Sequence, residues 1–470
     1  MTEPRRRQVY LLNPRQLSPE TIAVTFAKTS RSPRSFKQIA DELTDAASAQ
    51  FHEKWVVGYG HASVAEHAVL HIAFENVSRL AVEAIEHSRL ASYTEKSTRY
   101  QVWDVDSFHL PREASGTAHE AALQHTCALL MRAYAEALEA VRPAVQRLYP
   151  RDPNESDERW DGRIRARYVD VCRFLLPAAV LANVGMTANA RVLEIALRRM
   201  LSHPLEEVRA VAGELKQACQ AEVPTLLKYA DPVEAPQVVL PPATEAASGS
   251  DAAEGARLVA HDADGETRVL AALAFAAGTM DLADSERWVG SLEPAARRAL
   301  AESLLGARQP HEAAPRALEL AGLTVEVVTD QGSYFELKRH RMMTQVAQPL
   351  TARLGFAVPR LIDEAGVGER YREAMATASQ TYDALAAWNP HVAAYVVPNG
   401  FYRRVLLRMN LREAFHFCEL RSAENAHFSI RCIALDLAEQ IRTAYPLLGS
   451  FLRTPGLAAD DLRRQVFAPA

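Results

Sequence analysis

Residues 172–200 read CRFLLPAAVLANVGMTANARVLEIALRRM, and residues 393–421 read AAYVVPNGFYRRVLLRMNLREAFHFCELR. Pro177 and Pro398, Asn189 and Asn410, and Arg191 and Arg412 are each 221 positions apart. Beyond these blocks Val208-Arg209 answers Ile430-Arg431 and Pro224 answers Pro446 at a spacing of 222, so one residue was gained or lost between them. Ordered matches at one spacing mark an internal repeat. The fold question is therefore that of one unit present twice.

Between the copies runs DPVEAPQVVLPPATEAASGSDAAEG, residues 231–255, rich in Pro, Ala, Ser and Gly and poor in large apolar residues. That composition can join domains but cannot bury a core. The expected organisation is a first domain over 1–230, a linker over 231–255 and a second, more diverged domain over 256–470. Each half mixes element types. QVYLLN (8–13) and ARLVAH (256–261) open the halves like short strands, and AVLHIAFENV (68–77) and LTVEVVTD (323–330) read as strands. Helical periodicity covers 117–148, 190–229, 368–388 and 410–445. The predicted fold class is α+β: two tandem copies, each a small sheet flanked by long helices.

The 470 residues are 48% hydrophobic and 24% charged, as in globular protein, with a formal net charge of −5. Nothing global points to nucleic acid or a membrane, so an anion site has to be local. Five scattered cysteines without a CxxC fit a reducing compartment, and no apolar run approaches a spanning length. A cytoplasmic location is expected. His67 and His71 share a helix face only if that segment is helical. On a strand they lie about 13 Å apart, and AVLHIAFENV reads as a strand, so no metal is expected.

Two segments concentrate anion-holding groups. SRLASYTEKSTRY (88–100) carries Arg89, Ser92, Thr94, Ser97 and Arg99 with Glu95 among them, and KRHRMMTQ (338–345) follows Glu336 with four cationic or imidazole residues. A guanidinium fork can grip two phosphate oxygens at once. Alone, either segment also fits a solvated charged face.

Taken together these segments carry a resemblance. HSRLASYTEKSTRY is similar to the R-H-R-x-x-S-x-N-E-x-S-x-R-Y motif of flavin-dependent thymidylate synthases: Arg89, Ser92, Glu95, Ser97, Arg99 and Tyr100 fit, whereas His87, Ser88 and Thr94 depart. Gly60-His61-Ala62-Ser63 with Glu66-His67 resembles the family's G-H-x-S/T-x-x-E-H segment. Arg173 with Leu176-Pro177, and Asn189-Ala190-Arg191, resemble its R-x-x-L-P and N-A-R blocks. The second half keeps Arg339-His340-Arg341, Thr344, Asn410, Arg412 and Arg421. It has Pro349 at the motif serine, Ala394 opposite Arg173, and HEAAPRA with Arg316 in place of the glutamate. The counterpart of Arg421 in the first half is either Arg199 or Met200.

The resemblance implies reductive methylation of dUMP to dTMP, with FAD as cofactor and NADPH and methylene-tetrahydrofolate as co-substrates. It implies that Glu95, Ser97, Arg99 and Arg173 hold the nucleotide phosphate and that Arg421 touches the uracil as the catalytic group. His61, Ser63, Glu66, Arg89, Asn189, Arg191, Arg339, His340, Arg341, Asn410, Arg412 and His416 would line the flavin. It implies composite sites, the phosphate set best kept in the first copy and the flavin and uracil set in the second. A family tetramer becomes a homodimer of fused chains, a pseudo-tetramer. The broken motifs leave two other readings open: an inactive nucleotide-binding homologue, or a flavoenzyme for another pyrimidine.

Overall fold

The protein is described by a computed structural model covering residues 8, 10–30, 32–58, 62–233, 254–309 and 311–468. The fold is α+β. Most of the expected linker (234–253) and His61 lie outside the described residues. The chain forms two compact units. The first comprises the described residues of Met1–Lys96, Ser107–Glu120 and Ala179–Pro241; the second comprises those of Ser97–Asp106, Ala121–Ala178 and Pro242–Ala470. The units do not follow the sequence halves, because two stretches of the first copy fold with the second copy's sheet.

In the first unit, β1 (Val69–Ser78), β2 (Ala91–Glu95) and β3 (Leu181–Asn189) form an antiparallel sheet in the order β1-β3-β2. In the second, β4 (Gly255–His261), β5 (Gly322–Asp330), β6 (Thr344–Ala347) and β7 (Tyr402–Asn410) run in the order β4-β5-β7-β6. Remove β4 and the two sheets have one topology, with Val69 opposite Asn189 in one and Gly322 opposite Asn410 in the other. The repeat read from sequence is thus a repeat of sheet register.

QVYLLN departs from expectation. Its described residues form no strand, and Leu11 is 94% exposed. The equivalent ARLVAH becomes β4 because β5 offers it an antiparallel edge. A strand-like run gains nothing from extension without a ladder partner.

The repeated asparagines have a structural role. Asn189 Oδ1 accepts the backbone N–H of Val192 and caps the Ala190–Leu201 helix; Asn410 Oδ1 does the same for Glu413 in the Leu411–Arg421 helix. A short acceptor at the N-cap satisfies a helix donor that otherwise has none. Counting from the caps decides the Arg199 question. Arg421 is eleven residues past Asn410, and Met200 is eleven past Asn189. Met200 is buried at the equivalent helix position, and the length difference falls in the connection after the helix.

The second unit's core spans Val269–Leu452, with Leu323, Val325 and Val327 of β5 and Val405, Leu407 and Met409 of β7 meeting Phe415, Ile430 and Leu437 of the closing helices. The first copy's helices Glu120–Leu148 (from Ala121 on) and Asp157–Cys172 belong to this unit. Thr126 of the former hydrogen-bonds Thr381 of the Gly368–Ala386 helix at 2.8 Å. The repeated prolines also meet. Pro177 and Pro398 form an antiparallel bridge, flanked by Ala178 N–H to Val397 C=O at 3.0 Å and Asn399 N–H to Leu176 C=O at 2.9 Å. Self-complementary pairing of equivalent residues is the mark of a local two-fold relation. All five cysteines are free and buried, and burial pushes the Cys127 thiol up to about 12. Among the described residues no helix is long and apolar enough to cross a membrane.

Candidate functional site

Where the first copy's 97–106 and 121–178 stretches enter the second unit, they carry Arg99, Asp170 and Arg173. Asp170 and Arg173 end the Asp157–Cys172 helix and begin the turn after it. Arg99 grips Asp170 with both edges of its fork, Nε to Oδ1 at 2.9 Å and Nη2 to Oδ2 at 2.8 Å, and reaches the carbonyl of Asn425 at 3.1 Å. Burial opposes the Arg99 charge, but this carboxylate outweighs it and the guanidinium pKa is raised. Ser97 Oγ accepts the Arg99 backbone N–H at 3.2 Å, fixing the turn that aims the side chain.

Arg173 is almost wholly buried. It donates to Thr98 Oγ1 at 3.4 Å and to Glu336 Oε1 at 3.3 Å, and its Nε has no hydrogen-bond partner among the described residues. Glu336 lies on the short Gln331–Leu337 helix, and its other oxygen accepts from Arg421 Nη1 at 3.3 Å. Arg421, at the C-terminal end of its helix, donates Nε–H to His340 Nε2 at 3.0 Å. His340 Nδ1 meets Glu413 Oε1 at 3.0 Å. Burial lowers the His340 pKa, and Arg421 adds to the effect. Burial likewise lowers that of Arg421, with Arg339 and Arg99 pressing in the same direction; an arginine stays charged regardless. Arg339 and His416 are exposed, the His416 ring 5.4 Å from that of His340. Three guanidiniums, three carboxylates and an imidazole thus converge from both copies. Such a knot can bind an oxyanion and stabilise charge developing beside it.

A protein-family model described as "Thymidylate synthase complementing protein" matches residues 14–225 and again 257–447. The chain belongs to that family. It carries the family domain twice in tandem. A UPF0159 protein of Chlamydia muridarum is 31% identical over 452 residues, covering 90% of this chain and 84% of the relative. One from Thermoplasma acidophilum is 28% identical over 449 residues, covering 86% and 88%. A flavin-dependent thymidylate synthase of Clostridium tetani is 26% identical over 216 residues, 46% of this chain and 83% of that protein.

The family motif residues are distributed unevenly. In the first unit Glu95 forms a buried ion pair with Arg79, which ties its carboxylate into that unit's own fold. Arg89 is exposed, and Arg191 pairs with Glu66 at the surface. Ser63 and Glu66 border a cleft of about 680 Å³ whose walls include Phe26, Trp55 and His67. In the second family copy the Glu66 counterpart is Arg316, which cannot pair with Arg412. Glu319 takes over, accepting from Arg316 at 3.2 Å and from Arg412 at 2.9 Å, while Arg412 Nε also holds the Ala314 carbonyl. Arg341 follows the turn at His340, half-buried.

Sequence reasoning missed Asp170, Thr98 and Glu413, and noticed Glu336 only as a flank. The signal for Asp170 was available: a lone carboxylate in the apolar run YVDVCRFLL, one helical turn before Arg173. Charges in such runs are seldom left unpaired. His427 was also missed. It is buried, its Nδ1 accepts the Ser429 N–H and its Nε2 faces the Asp170 carbonyl at 3.1 Å. Burial first, then Arg173 and Arg99, drive its pKa well below that of free histidine.

Proposed function

We propose that this protein is an FAD-dependent thymidylate synthase-like enzyme that converts dUMP to dTMP with methylene-tetrahydrofolate and NADPH. The observation that carries the reading is the joining of first-copy Arg173 to second-copy Arg421 and His340 through Glu336, with first-copy Arg99 held on Asp170 and the second-copy Asn425 carbonyl. These residues fit an anionic, ring-bearing ligand: the buried Arg173 Nε has an unmet donor among the described residues, and Arg99 and Arg339 both press on the charge of Arg421, which Glu336 offsets. For FAD the donors are Arg339, Arg341 and His416, with His340 buried behind them on Glu413 and Arg421, while Asn410 and Arg412 support the helix they begin. FAD supplies hydride chemistry when bound. Arg99 and Arg173 hold the nucleotide phosphate, and Arg421, fixed by His340 and Glu336, stabilises negative charge on the uracil. Two chains form the working assembly, a particle of about 104 kDa from the 51.9 kDa chain; a stable monomer in light scattering is incompatible with it.

Rescue of a thymidine-requiring strain, with tritium release from labelled dUMP by the purified FAD-bound protein, tests the activity. Failure of both with intact folding overturns it. A second reading is favoured by one feature: Arg99 and Arg421 already hold carboxylates, as in a homologue that binds nucleotide without turning it over. Nucleotide binding without tritium release selects that reading.

Removing Arg99 separates phosphate grip from fold. Arg99→Ala is expected to weaken dUMP binding about ten- to a hundredfold, the weight of a charge-assisted contact of about 1.5–3 kcal/mol. FAD content should stay near wild type. Calorimetric titration giving an unchanged dUMP affinity rules Arg99 out of the site.

A further inference from the structure

Glu413 stands third in the Leu411–Arg421 helix, three residues after its Asn410 cap, where a glutamate commonly folds back on the cap. Here its carboxylate reaches His340 instead, at 3.0 Å, with side-chain exposures of only 10% for Glu413 and 2% for His340. The other imidazole nitrogen faces Arg421 Nε at 3.0 Å. An arginine N–H only donates, so His340 Nε2 has to accept, and the single ring proton is on Nδ1, pointing to Glu413. The ring is held on its remaining sides by Phe417, edge-on at 5.0 Å, and by His416 at 5.4 Å. Gln345 Nε2 donates to the His340 carbonyl at 3.0 Å.

The two copies supply an independent argument. The position equivalent to His340 in the first copy is Ser88, and the one equivalent to Glu413 is Val192. Imidazole, carboxylate and arginine are present together in the second copy. In the first, all three are replaced together, with Met200 at the arginine's position. A carboxylate kept only for helix capping has no reason to follow the imidazole.

We propose that Glu413 is a positioning residue: it locks His340 in the Nδ1–H form, so that Nε2 accepts from Arg421 and orients its guanidinium. The consequence for turnover rests on the synthase reading; the tautomer does not. Glu413→Gln keeps a carbonyl acceptor opposite Nδ1–H and should preserve the arrangement, because Arg421 still requires an acceptor at Nε2. Glu413→Ala removes the acceptor and frees the ring to exchange forms. The guanidinium then loses its fixed direction, and misplacement on the ångström scale is worth up to about a hundredfold in rate.

The experiment is nitrogen NMR of the full-length protein labelled with ¹⁵N-histidine, His340 being assigned by its absence from His340→Gln. Wild type and Glu413→Gln should show a protonated Nδ1 and an unprotonated Nε2. Glu413→Ala should show a mixture or the Nε2–H form. Where dTMP formation is measurable, Glu413→Ala should lower kcat about ten- to a hundredfold with the KM for dUMP nearly unchanged, and Glu413→Gln should restore most of it. A wild-type ring that is Nε2–H or doubly protonated overturns the proposal, as does Glu413→Ala with an unchanged Nδ1–H signal. Should Glu413→Ala not fold, the wild-type and Glu413→Gln spectra still decide. Absent turnover with the expected tautomer refutes the synthase reading alone.

Discussion

Arg421→Ala is expected to lower kcat/KM for dTMP formation about 10²- to 10³-fold, the loss of roughly 2.7–4 kcal/mol that follows removal of one preorganised donor to a developing anion. The side chain is held at three points, His340 Nε2, Glu336 Oε2 and the Glu336 carbonyl, so little reorganisation is needed when charge appears beside it. The first copy provides the control. Arg199 also touches an imidazole, His87, and the Ala84 carbonyl, but it lies one position out of register with Arg421. Arg199→Ala should change turnover less than about twofold. Steady-state kinetics on the two variants compares them directly, and equal losses would mean that the first copy contributes a working site of its own.

Arg173→Ala should have the largest effect on stability. It strips a buried guanidinium from Glu336, whose side chain is 7% exposed, and leaves that carboxylate with one ion pair among the described residues, to Arg421. Breaking a buried pair from one side costs about 3–5 kcal/mol, because the survivor is charged and poorly solvated. The loss should be read by urea unfolding, as a midpoint shift at constant slope. Arg173→Met combined with Glu336→Gln should recover part of it, since that ion pair is then replaced by neutral side chains of similar volume. An unchanged midpoint for Arg173→Ala would show that water already reaches the pair.

Some of this architecture is a property of short sequence stretches. A strand such as LTVEVVTD and a capped helix such as NLREAFHFCELR declare themselves through local side-chain chemistry, and the Pro, Asn and Arg spacings repeat because each copy needs the same turn and the same cap. The amino-acid order therefore determined the α+β class, the duplication and the family, and it singled out the arginines that the fold gathers into the buried cluster. Tertiary structure decided the rest. QVYLLN and ARLVAH read alike, and only the edge of β5 makes one of them a strand. Glu95 fits the family motif by position, yet Arg79, sixteen residues earlier, takes its carboxylate. Asp170, Glu336 and Glu413 carry no motif of their own; their roles come from long-range ion pairs. Such pairs form where buried charges have no water to turn to, and which charges are buried together is fixed by packing over hundreds of residues. That is why first-copy residues 97–106 and 121–178 complete a second-copy knot: burial joins them across a separation in sequence that no local pattern records.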